Sequence, residues 1–139
     1  MKKAIILVVG LVSYVSLVEA QKLPLSRVPV AVKNKFSGQH PEVKDVNWEK
    51  EKGAYEAVFK LNGRKMSENY AASGNLLESE KGLAITELPK SVLDFLAIHH
   101  KGLKVKEAAK ITKANGQIQY EAEIGGKDFL FDEKGNPIN

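Results

Sequence analysis

Two periodicities alternate along the chain. Behind Val28-Pro29 the apolar positions fall at helical spacing, with Val32 and Phe36 on one stripe. Behind Leu88-Pro89, sixty residues later, Val92 and Leu96 repeat the arrangement. Proline suits a helix's first turn, where its missing N–H would have had no partner. Gly38 and Pro41 are expected to end the first helix and Gly102 the second, with His99, His100 and Lys101 placed to favour its negative end.

After each helix the period drops to two. Val46 and Trp48 share a strand face, and Tyr55, Ala57, Phe59 and Leu61 share a face of the next strand. Asn62-Gly63 is a hairpin signal because both residues tolerate positive φ. Met66, Glu68 and Tyr70 alternate beyond it, and Ser73-Gly74-Asn75 turns into Leu76-Leu77. The second half follows suit. Ala109 and Ile111 lead to Asn115-Gly116; Ile118, Tyr120, Ala122 and Ile124 alternate; Gly125-Gly126 turns into Phe129 and Phe131; Lys134-Gly135-Asn136 turns into the end.

The chain therefore reads as two copies of one unit, a helix followed by a three- or four-stranded antiparallel meander, over 27–80 and 86–139. One such unit buries little, and a neighbouring copy would complete its core. The expected fold class is α+β, with both helices on one face of an extended antiparallel sheet and the other face open.

The first twenty residues stand apart. Lys2 and Lys3 precede the apolar run Ala4 to Val18, and Val18-Glu19-Ala20 offers a cleavage site before Gln21, the layout of a secretory signal peptide. A membrane anchor needs about twenty apolar residues, and this run is shorter and interrupted by Ser13 and Ser16. Removal of residues 1–20 would leave 139 − 20 = 119 residues, with 21–26 as a short linker. The 21 basic and 17 acidic residues become 19 and 16 without Lys2, Lys3 and Glu19. That balance is no nucleic-acid signature. The chain has no cysteine, which excludes disulfides, thiolate catalysis and a lipid anchor on cysteine. The expected location is the periplasm or beyond, with no stable membrane anchor.

Two units that each open with a (Leu/Val)-Pro helix and continue through a Tyr-Glu strand and a glycine hairpin, closing on Phe/Tyr-x-x-x-Gly-Asn, resemble the PepSY-like, beta-lactamase-inhibitor-like proteins. The resemblance covers roughly Leu25 to Ile138. It implies an exported protein of a kind common in Bacteroidetes-type bacteria, one that binds another exported or envelope protein with its open sheet face. The PepSY name carries a suggested link to peptidase inhibition. The first unit departs from the second in having Ala71-Ala72 where the second has Asp132-Glu133.

No residue pattern specifies catalysis, a cofactor or a metal. His40, His99 and His100 form no H-E-x-x-H motif, and adjacent helical histidines point about a hundred degrees apart. Their bland role is to serve helix-terminal carbonyls. No G-x-S-x-G is present, and Gly125-Gly126-Lys127 lacks P-loop spacing. The expectation is a non-enzymatic exported binding protein, with an envelope structural or small-ligand or peptide-binding module as the alternative.

Aromatic residues supply the candidate binding positions. Phenylalanines on strands are expected in the core. Tryptophan and tyrosine carry polar tips and concentrate at interface hot spots, so Trp48, Tyr55, Tyr70 and Tyr120 are the candidates for the open face. The series Lys101, Lys104, Lys106, Lys110 and Lys113 reads as a solvated edge strand guarded against aggregation, or else as a basic edge for an acidic protein or a lipid headgroup.

Overall fold

The computed structural model describes residues 21–138; the expected signal peptide at 1–20 lies outside them. Among the described residues nine strands form one sheet in sequence order, every neighbouring pair antiparallel. They are β1 (Gln21–Leu23), β2 (Val46–Glu51), β3 (Ala54–Leu61), β4 (Arg64–Tyr70), β5 (Leu76–Leu83), β6 (Val105–Lys113), β7 (Ile118–Ile124), β8 (Lys127–Asp132) and β9 (Pro137–Ile138). Helix α1 (Val30–Gln39) lies between β1 and β2, and α2 (Lys90–His99) between β5 and β6. With two helices and an antiparallel sheet, the fold is α+β.

Each helix begins directly after a proline at its N-cap, Pro29 or Pro89, and a single 3-10 turn precedes each proline, Leu25–Arg27 or Ile85–Glu87. Gly38 does not end α1, which runs one residue further to Gln39, so that the break falls at His40 before Pro41.

Ladder register fixes the faces, because residues directly opposite each other in an antiparallel pair project to the same side. Leu23, Trp48, Ala57, Glu68, Ser79 and Thr112 form one such row across six strands. Val32 and Phe36 of α1 pack on this side with Trp48, Ala57, Phe59 and Tyr70. Val92 and Leu96 of α2 pack with Ala108, Ala122, Ile124 and Phe131, which the same registers place on the same side. Both helices thus cover one face and leave the other without a helix.

Two expectations are corrected. Residues 21–23 of the supposed linker form strand β1, pairing Leu23 with Trp48 as Leu83 of β5 pairs with Ala108. The lysine-bearing strand β6 is not an edge: it lies between β5 and β7, reached through a non-local pairing that alternation alone cannot show. Lys106 instead sits at a bulge and approaches Glu123 at 3.5 Å, while Lys113 pairs with Glu78. Among the described residues the edge strands are β1, three residues long, and β9, two residues long and starting with proline, which has no N–H to offer a further ladder.

Candidate protein-binding face

All four aromatic candidates stand on the helix-covered side. Trp48 and Tyr70 are buried core residues. Tyr55 lies opposite Tyr70 and packs against the first core, and Tyr120 lies opposite Phe131 and packs against the second. None is brought to the open face. Their apolar rings fill the layer between helices and sheet, and for Tyr70 the polar tip is satisfied internally. Its hydroxyl donates to Glu68 and lies 3.3 Å from Gln39 Oε1. Glu68 Oε1 also meets His40 Nε2 at 2.9 Å. His40 therefore serves a buried carboxylate and not the helix carbonyls. His100, the corresponding residue after α2, packs its ring on Phe129, with centroids 4.4 Å apart.

The open face carries different chemistry. Every carboxylate standing in a strand lies on it except Glu68: Glu49, Glu51, Glu56, Glu78, Glu80, Glu107, Glu121, Glu123, Asp128 and Asp132. The sheet forms a trough of about 590 Å³ here, lined among others by Glu49, Glu56, Ser67, Glu80, Ala109 and Glu121. Its middle is sheltered although no helix covers it. Ser67, Ala109 and Ile111, all on this face, are each less than a tenth exposed.

Shelter and crowding change the acids. Burial, and then the Glu80, Asp128, Glu78 and Glu123 carboxylates, push Glu121 up to about 7. Glu80 is raised by burial and by Glu56, Glu78 and Asp128, against an opposing pull from Lys65. Glu56 is raised chiefly by burial, with a hydrogen bond from Ser67 holding part of its charge in place. The nearby cations lie closest to other carboxylates: Lys65 approaches Glu107 at 3.9 Å, Arg64 holds Glu87 through two hydrogen bonds, and Lys106 approaches Glu123 at 3.5 Å. Among the described residues Glu49, Glu56, Glu80 and Glu121 have no ion-pair partner.

This face was within reach of the sequence. In β2, β3, β7 and β8 the carboxylates occupy the alternate positions to the aromatics, as Glu49 and Glu51 do beside Trp48, while in β4 Glu68 shares the face of Tyr70. Burying unpaired carboxylates under a helix is costly, so the acidic set had to be the open one. Tyrosine and tryptophan suit cores as well as interfaces, so the aromatics alone do not tell the two faces apart.

No family model matches the sequence, and no curated protein matches it. Solved structures do share the fold. A protein of Bacteroides eggerthii, described as a proposed periplasmic protein, superposes with a TM-score of 0.74 at 18% identity, covering 81% of this chain and 86% of that one. A DUF2874 family protein of Bacteroides uniformis gives 0.72 at 19%, covering 80% and 86%. A BLIP-like protein of Bacteroides fragilis gives 0.61 at 23%, covering 84% and 85%. At these identities the likeness is one of fold, and the fold this chain shares is BLIP-like.

Proposed function

We propose that this protein is a non-enzymatic, exported binding module that docks another envelope or secreted protein on the open face of its sheet. The observation that carries this reading is the division of the sheet: both helices pack on one side, and the other side presents a wide trough with unpaired carboxylates. A face left bare by both helices of a small domain is available for a partner, and unpaired charge within it favours recognition over mere solubility. The periplasmic description of the B. eggerthii protein and the secretory layout of residues 1–20 support export. Inhibition of a peptidase or another enzyme is the form of binding that the beta-lactamase-inhibitor-like resemblance suggests. We further propose that the domain is a tandem repeat of the PepSY-like unit, supported by the sixty-residue offset that relates β1, its 3-10 turn and α1 to the end of β5, the second 3-10 turn and α2.

The test is position-dependent cross-linking. A photoreactive residue at Gln119, on the open face, should capture one protein from envelope and secreted extract, and the same residue at Lys35, exposed on α1, should not. The captured protein, once purified, should slow amide exchange in β3 to β7. Capture from Lys35 alone, or exchange protection confined to the helices, would contradict the reading.

A further inference from the structure

We propose that the partner presents a basic polypeptide segment, whose lysine or arginine side chains settle among Glu49, Glu56, Glu80 and Glu121 in the open-face trough. This inference rests on the reading of that face as a docking surface and adds the chemistry of what docks.

Charge complementarity carries it. Four half-buried carboxylates line one trough with no ion-pair partner, and the cations that line it beside them, Lys65, Arg64 and Lys106, lie against Glu107, Glu87 and Glu123, Lys65 also drawing on Glu56 and Glu80 from farther off. The protein as a whole is basic, with 21 basic against 17 acidic residues, so the negative face is a local arrangement and not a consequence of composition. An acidic partner would meet repulsion from all four groups. An apolar partner would strip water from them with nothing to compensate. Cations answer both costs, and guanidinium groups do so with paired hydrogen bonds to each carboxylate. A polypeptide suits the space better than a small cation. The lining residues run from β2 through β7, and the trough floor contains Ala109 and Ser67, which a backbone and short side chains can approach.

Proton linkage follows from the same geometry. The charged groups facing Glu121 are Glu78 and Glu80 of β5, Glu107 and Lys106 of β6, Glu123 of its own strand and Asp128 of β8; Lys65 of β4 lines the same trough. Near pH 7 Glu121 holds a proton for part of the time, and an arriving cation favours the charged form. Binding therefore releases protons and weakens as the pH falls.

Calorimetry on the purified protein tests this, with a ten-residue peptide of alternating arginine and serine as probe. A glutamate–serine peptide and spermine serve as comparison ligands. The arginine peptide should bind at pH 8, with a heat near pH 7 that depends on the buffer's ionisation enthalpy in the sense of proton release. Affinity should fall about tenfold or more for Glu80→Gln/Glu121→Gln, and also for the wild type at pH 5.5. Glu133→Gln, in an exposed turn, should bind as wild type. Thermal melts confirm that each variant is folded, and the single Glu80→Gln variant is the reserve if the double variant is not. No binding of the arginine peptide, equal binding of the glutamate peptide, or wild-type affinity in the folded Glu80→Gln/Glu121→Gln variant would overturn the proposal. Spermine binding as tightly as the peptide would overturn the assignment to a polypeptide. A partner captured at Gln119 while the arginine peptide fails would leave the docking face standing and remove only its proposed chemistry.

Discussion

Tyr70 and Phe131 are both fully buried, and each faces a tyrosine across its ladder, Tyr55 for Tyr70 and Tyr120 for Phe131. The two sites differ by one hydroxyl, and the surroundings differ to match. Two residues before Tyr70 stands Glu68, which accepts from that hydroxyl; two residues before Phe131 stands Phe129, which accepts nothing. His40 follows the first pattern by meeting Glu68, and His100 the second by packing on Phe129. A buried hydroxyl needs an acceptor, and where the hydroxyl is gone an apolar layer replaces the network.

Tyr70→Phe should therefore destabilise the protein by about 1–2 kcal/mol, although it removes a single atom, because Glu68 loses a donor while remaining buried. Urea unfolding should show a lower midpoint with an unchanged slope. In a Glu68→Gln background the same change should cost less, since the amide no longer carries a charge to be stabilised.

Trp48 presents the opposite case. Its ring packs edge-on to Phe36 at 5.4 Å, but its Nε1 is buried with no acceptor among the described residues. Replacing it with phenylalanine removes an unsatisfied donor and some packing together. The net change in unfolding free energy should stay under about 1 kcal/mol. Phe36→Ala, which opens the centre of the same cluster, should cost about 3–5 kcal/mol.

Two turn glycines share a positive φ and differ in what lies beside them. Gly135 has φ +85°, and a Cβ there would fall 2.0 Å from Ser91 Oγ and 2.6 Å from Ser91 Cβ at the start of α2. Gly63, with φ +77°, has open space around it. Gly63→Ala should cost about 1 kcal/mol through the backbone alone. Gly135→Ala should cost clearly more, and Gly135→Ala/Ser91→Gly should recover part of the difference in thermal melts.

The pH dependence of stability should carry two signatures of opposite sign. Glu121 is raised to about 7 in the folded state, so between its ordinary value and 7 the folded protein binds the extra proton. Its contribution to stability is then present at low pH and lost as the pH rises through 7. Glu121→Gln should raise the melting temperature at pH 8, on the order of 4 °C, and leave it nearly unchanged at pH 5. Glu87 is lowered to about 2, first by the hydrogen bond from Arg64 and then by the Ala84 N–H. Its contribution is present above the ordinary carboxylate range and lost as the pH falls toward 2. Glu87→Gln should lower stability at pH 7 and have little effect near pH 2.

Much of this architecture is legible in the chain. The shared faces of Tyr55, Ala57 and Phe59, of Met66, Glu68 and Tyr70, and of Tyr120, Ala122 and Ile124 follow from alternation, because side chains on a strand repeat every second residue. What alternation cannot supply is the pairing of strands that no hairpin joins. Leu83 meets Ala108 only after α2 has intervened, so β6 looks like an edge in sequence and is central in space. Strand β1 escapes notice for the same reason: three residues carry no period, and it exists because β2 offers it a ladder. Residue type does not place Trp48, Tyr55, Tyr70 and Tyr120, because polar-tipped aromatics suit cores and interfaces equally. The carboxylates at the alternate positions held the deciding information.

Amide and side-chain NMR on the protein, as its purified, cross-link-identified partner is added, tells the open sheet face from the helix face. The largest changes should gather at Val58, Ser67, Glu80, Ile111 and Glu121, which share the open face across β3 to β7, while Val32, Phe36, Val92 and Leu96 stay unchanged. Changes centred on α1 and α2, with the trough residues unmoved, would contradict docking on the open face.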